Sequence, residues 1–184
     1  INANGVCAHA QQQLWFKSSE DTDGTIRDRF GKLVAAALNG ELDHWSELDQ
    51  GCIALIILLD QFTRNIYRDT PQAFAGDERA LALVQSVVAN NEHVTAAVIH
   101  QVFLYIPYEH SENLTVQEQG ILLFDQLLQD CPEAVREQVA GFRQYSVAHR
   151  DVIEKFGRFP HRNKILGRES TAVELEHLKD HGGF

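Results

Sequence analysis

Basic residues, cysteine and proline are all scarce in this 184-residue chain. Lysine and arginine number 16 against 26 aspartates and glutamates, a formal net charge of −10. A molecule of that sign repels nucleic acid and anionic lipid surfaces, so any anion site has to be local. Cys7, Cys52 and Cys131 are odd in number, far apart and free of C-x-x-C spacing, which excludes a disulfide framework and a zinc knuckle. They read as reduced thiols, with Cys52 a small core residue beside an apolar run. Only 4 prolines, with 44% hydrophobic and 23% charged residues, describe a globular chain rather than a disordered or collagen-like one. Long apolar runs are missing as well. The longest strictly apolar stretch, Ile53 to Leu59, falls far short of the roughly 20 residues a membrane-spanning helix needs. The first residues carry no charged-then-apolar signal pattern. A cytoplasmic protein with no membrane or nucleic-acid partner is expected; the chain opens at Ile1, which leaves its native N-terminus open.

What is present is helical periodicity. Ile26, Phe30, Leu33, Val34, Ala37 and Leu38 recur on one helical face, and Asn39-Gly40 supplies a stop. The stretch "GCIALIILLDQF" is apolar all round and has no alternating partner strand elsewhere, so it reads as a central buried helix. Asp69, Thr70 and Pro71 form a turn signal, after which Asp77 is expected to cap a helix running to about Asn90. In "VIHQVFLYIPYEHSEN" a helix is expected to break at Pro107. Thr115 and Glu118 have capping-box spacing, as do Thr171 and Glu174 before a last helix ending near Gly182-Gly183. Between them Pro132 opens a long helix whose face runs Val135, Val139, Phe142, Ser146, His149, Ile153 and Phe156, stopped by Gly157. Roughly seven or eight helices in antiparallel pairs predict one all-α domain over residues 1–184, a bundle or a short superhelix.

Four polar clusters interrupt this apolar pattern. "LDQFTRN" holds Asp60, Gln61, Arg64 and Asn65; Arg64 follows Asp60 by four residues, so an ordinary helical ion pair and a charged cleft are both open readings. "YEHSEN" holds Glu109, His110 and Glu112, whose carboxylates are close enough to share a cation or raise each other's pKa. None of the four clusters holds an H-x-x-x-H pair, so no metal site is expected there. His149, beside Asp151, occupies a core-facing slot, where an imidazole is either a hydrogen-bonded core residue or an acid–base group. The accompanying "HRD" has neither the glycine-rich loop nor the D-F-G of a protein kinase. Last, "FGRFPHRNKILGRES" gathers Arg158, Arg162, Lys164 and Arg168 around one carboxylate, Glu169, together with His161 and Asn163. Those arginines either fork onto the carboxylates of the other clusters or hold an anion from outside.

The stretches "IALIILLDQFTRN", "FLYIPYEHSE" and "HRDVIEKFGRFPHRNKILGRES" together resemble the bacterial domain-of-unknown-function 924 family, from about Trp15 through the C-terminus. The resemblance implies an all-helical, tetratricopeptide-repeat-like fold, although the repeat signature of tryptophan, leucine-glycine and tyrosine is missing. It implies motif positions at Asp60, Gln61, Arg64, Asn65, Glu109, His110, Glu112, Arg158, His161, Arg162 and Asn163, and it implies no activity. Thr63 stands where the family pattern has proline.

The leading expectation is therefore a binding module. Arg64, Asn65, Arg158, His161 and Arg162, with Asp60, Gln61, Glu112 and Asn163, would surround a small anion or a peptide carboxylate. The alternative is a hydrolase in which Glu109 or His110, or His149, works as acid or base while arginines stabilise negative charge, with or without a metal. A third reading makes every cluster structural. No cofactor is named by the sequence.

Overall fold

A computed structural model of the chain describes Gly5 and residues 19–47 and 49–181; Cys7, Trp15 and the Gly182-Gly183 stop lie outside them. The described residues form helices joined by turns and loops and contain no strand. Helix α1 is Glu20–Leu38, capped by Ser19, whose hydroxyl accepts from the Thr22 amide. Its face of Ile26, Phe30, Leu33, Val34, Ala37 and Leu38 meets the core, and Gly40 leaves the helix at φ +83°.

The apolar stretch is one rod with a widened turn. Helix α2, Asp49–Ile57, passes into a π turn over Leu58–Phe62 and resumes as α3, Thr63–Ile66. A π turn places an extra residue in the coil and shifts the faces of everything after it, a feature frequent at functional sites. Here Leu58, Leu59 and Asp60 are buried in succession, so the carboxylate is carried into the interior with its apolar neighbours. Thr63, where the family pattern has proline, donates its hydroxyl to the Leu59 carbonyl at 2.8 Å.

The turn through Asp69 (φ +60°) to a 3₁₀ segment at Pro71–Phe74 forms as expected. Helix α4, Asp77–Ala89, then starts one residue earlier than the sequence suggests: Gly76 is its cap and Asp77 its first residue. The reason is contact. A Cβ on Gly76 would lie 2.1 Å from the Leu59 carbonyl oxygen, so the start of α4 rests directly on the π turn and Asp77 is free to face it.

Helix α5, Val98–Glu109, does not break at Pro107. The missing amide and the ring clash fall in its last turn only. Every residue from Val102 to Glu109 is buried, so packing holds that turn helical. Gln117 of α6, Leu114–Asp130, also ties the end down, donating to the carbonyls of Glu109 at 2.5 Å and Ser111 at 2.8 Å. The cap of α6 is Asn113, which accepts from the Val116 amide, and Thr115 lies inside the first turn rather than in a box with Glu118. Gly120 lets α6 approach α5, since a Cβ there would sit 2.7 Å from that of Tyr108.

Helix α7, Glu133–Phe156, ends on Gly157 at φ +68°. A 3₁₀ turn, Pro160–Arg162, and helix α8, Ala172–His181, complete the described chain. The Thr171–Glu174 box forms reciprocally, with amide-to-side-chain bonds of 2.7 and 3.3 Å. The main core draws on α1 to α7, and a small satellite of Val152, Ile153 and Phe159 packs apart from it. No described helix is long and apolar enough to cross a membrane.

Candidate functional site

A buried polar network lies where the main core and the satellite meet, and the π turn builds its centre. Asp60 is 1% exposed. It accepts from Gln61 Nε2 at 2.5 Å and from His110 Nδ1 at 2.6 Å, with Arg64 Nη1 at 3.4 Å. A carboxylate facing a ring nitrogen at that distance makes Nδ1 the protonated one, and Nε2 then carries the lone pair. No described residue bonds Nε2, and the His110 side chain is 14% exposed. Burial alone would raise the pKa of Asp60, but the charges of His110 and Arg64 and the bonds from His110 and Gln61 outweigh it and hold it well below the usual carboxylate range. For His110, burial and the Arg64 charge prevail over Asp60, so the ring is favoured neutral.

Arg64 bonds the Asp60 carbonyl at 2.6 Å and forks onto Asp77 at 2.8 and 2.9 Å. Arg162, 7% exposed, reaches the same Asp77 at 3.3 Å and the His110 carbonyl at 3.0 Å. Its guanidinium is sandwiched between the rings of Phe74 and Phe159, 4.6 and 4.5 Å from their centroids. Burial and the nearby Arg64 charge bring its pKa down to about 10. Glu112 receives Arg168 in a two-pronged pair at 2.6 and 2.9 Å, plus the Phe159 amide at 2.8 Å. Its pKa falls because those donors outweigh its burial. Three carboxylates (Asp60, Asp77, Glu112) thus meet three guanidiniums (Arg64, Arg162, Arg168).

Glu109 is the exception. It is 4% exposed, and no hydrogen bond from a described residue reaches its carboxyl group. Burial, then the Asp60 charge, push its pKa well up, favouring the neutral acid. His149 packs edge-on against His110 with centroids 6.2 Å apart and donates Nδ1–H to the Tyr145 carbonyl at 2.9 Å. Burial lowers its pKa to about 3. Burial and then Arg162 lower that of His161 to about 4. Strongly shifted groups of both kinds, concentrated in one place, make this cluster a candidate functional site.

Of the positions singled out from sequence, the fold gathers Asp60, Gln61, Arg64, Glu109, His110, His149, His161 and Arg162, with Glu112 beside them. Others go elsewhere. Asn65 donates to Asp23 at 2.7 Å, a carboxylate that Arg68 also grips. Arg158 forks onto Glu174 at 2.7 and 3.0 Å, and with Thr171 that bond holds the Glu174 pKa at about 2. Asn163 is fully buried and donates to Ser170 at 3.0 Å, and Asp151 is an exposed partner of Arg150. Sequence reasoning missed Asp77, which it placed as a cap, and Gln117. It saw Arg168 in the basic run without assigning it to Glu112. A polar residue facing an apolar helix interior, as Gln117 does at 0% exposure, was the available signal. Among the described residues no group of three metal-ligating side chains converges.

The fold and network define an all-α protein with a buried, charge-balanced aspartate–histidine–arginine centre. The chain belongs to the family described as bacterial protein of unknown function (DUF924), whose model matches residues 5–182. It is also similar to the solved structure of a protein of unknown function, ATU0120, from Agrobacterium tumefaciens. The two are 33% identical with a TM-score of 0.81 over 93% of this chain and 91% of that one. No curated protein matches the chain.

Proposed function

We propose that the Asp60–His110 pair is the acid–base centre of an enzyme of the hydrolase type. The observation that carries the reading is the 2.6 Å contact between a fully buried carboxylate and the His110 imidazole, with Glu109, whose burial favours its neutral acid, next in sequence. Asp60 orients the ring and fixes its tautomer, and Nε2 is the base that takes a proton from water. Glu109 supplies a proton to a departing group, and Arg162, bonded to the His110 carbonyl, fixes the end of α5 that carries the ring. What favours this over an anion pocket is charge: three guanidiniums already face three carboxylates, so an incoming anion meets little net attraction.

Turnover of ester, amide and phosphoester panels is the test. His110→Ala and Glu109→Gln should each cut the rate by roughly 10² or more. Activity equal in the wild type and His110→Ala, or none in either, sinks the reading.

Binding of a small anion or peptide carboxylate is the second reading. What supports it is the surface depression lined by Lys155, Arg158, Thr171 and Glu174, where Lys155 adds a cation to the Arg158–Glu174 pair. Phosphate and acetylated-peptide titrations that respond to Arg158→Ala in the folded protein would favour it.

A further inference from the structure

Helix α8 carries a histidine pair outside the four polar clusters. His177 and His181 stand one helical turn apart on one face, their rings stacked with centroids 4.5 Å apart and planes at 23°. His181 Nδ1 meets the His177 carbonyl at 3.1 Å, and a carbonyl only accepts, so Nδ1 holds the proton and Nε2 of the neutral ring holds the lone pair. Metal-ligating histidines are commonly oriented in this way, by an N–H given to a backbone carbonyl. The ring nitrogens of His177 bond no described residue, and Phe156 backs that ring with centroids 4.9 Å apart. Burial, then the charges of His181 and Lys155, outweigh Asp180 and lower the His177 pKa, which favours the neutral imidazole that a metal requires.

We propose that His177 and His181 form a two-imidazole site for a divalent transition ion such as zinc, and that the ion holds the last turns of α8. Ligand type makes the selection. Imidazole nitrogen suits zinc, copper and nickel, whereas magnesium and calcium take oxygen. Lys155 opposes any cation here and Asp180 offsets it, so coordination rather than net charge decides. Both nitrogens have to come within about 2.0–2.1 Å of the ion, an adjustment that χ2, a soft torsion in histidine, supplies. Leu178 stands where the H-E-x-x-H zinc proteases have their glutamate base, so the site is structural rather than hydrolytic. Structure is what α8 needs. A helix of 10 residues is marginal by itself. The Arg158–Glu174 pair and the Thr171 box anchor only its start.

Titration calorimetry of the full chain with zinc chloride at neutral pH, paired with amide exchange, tests the assignment. The wild type should show a saturable site and slower exchange in α8, and magnesium chloride should produce neither. His177→Ala and His181→Ala should each weaken zinc roughly tenfold or more, because the second ligand of a linked pair is lost. Lys179→His combined with His181→Ala keeps the histidine count but puts the second ring on another face, and should not restore binding. No saturable zinc site, binding undiminished in the double alanine variant or restored by Lys179→His, or α8 exchange unaltered by zinc overturns the proposal. His110→Ala should retain the site, so this result is independent of any turnover at Asp60–His110.

Discussion

His110 Nδ1 lies 2.6 Å from Asp60 Oδ1, and the contact joins residues fifty positions apart on α5 and the π turn. Gln61 and Arg64 converge on the same carboxylate, so Asp60 is the anchor of the network. Asp60→Asn leaves Arg64 and His110 facing a neutral amide inside the protein. Removing one partner of a buried charged group costs about 3–5 kcal/mol, so urea unfolding should show a loss of that order. A loss below about 1 kcal/mol would mean that the network contributes little to stability.

Among the described glycines, Gly76 has the least room for a side chain. Gly76→Ala drives a methyl group into the Leu59 carbonyl, 2.1 Å away, and displaces Asp77 from Arg64. Thermal unfolding should report a loss of about 2 kcal/mol or more. The control is Gly141→Ala in α7, where an added Cβ meets nothing within 4 Å. That change should stabilise by about 0.5–1 kcal/mol through helix propensity.

Acid should expose the buried titratable groups with opposite signs. His149 and His161 have values of about 3 and about 4 in the fold, against 6.5 ordinarily. Their contribution is complete above 6.5 and is lost progressively as pH falls, because the unfolded chain binds the protons first. Glu109 is raised above 4.5, so its contribution holds at low pH and is lost as pH rises through its folded value. Above 4.5, until it titrates in the fold, it opposes the histidines. Glu109→Gln removes that opposition, and stability should then climb more steeply with pH, by up to about 1.4 kcal/mol per unit. Parallel profiles for the two proteins would show that Glu109 titrates normally.

Helix boundaries were legible where their causes are local. The Thr171–Glu174 box, the Asn39-Gly40 stop and Gly157 all depend on residues within a turn of one another. The expected breaks failed where packing intervened: Pro107 stays helical among buried neighbours, and Gly76 rather than Asp77 caps α4 because the π turn lies against it. The π turn itself left no periodicity signal, since "GCIALIILLDQF" is apolar on every face. The candidate residues were legible as polar groups interrupting apolar patterns, and this found Asp60, Glu109, His110 and His149. The same pattern found Asn65 and Arg158, which bond Asp23 and Glu174 away from that cluster.

By itself the sequence determined that the chain is helical and that charged side chains from distant stretches would be drawn inside. Spacing, capping and the one-sided placement of apolar residues act over a few positions and survive any arrangement of the helices. Only the tertiary structure decided which guanidinium meets which carboxylate. A guanidinium will pair with any acid within reach, and reach is set by how helices pack, so Arg64 and Arg162 share Asp77 while Glu109 meets no cation among the described residues.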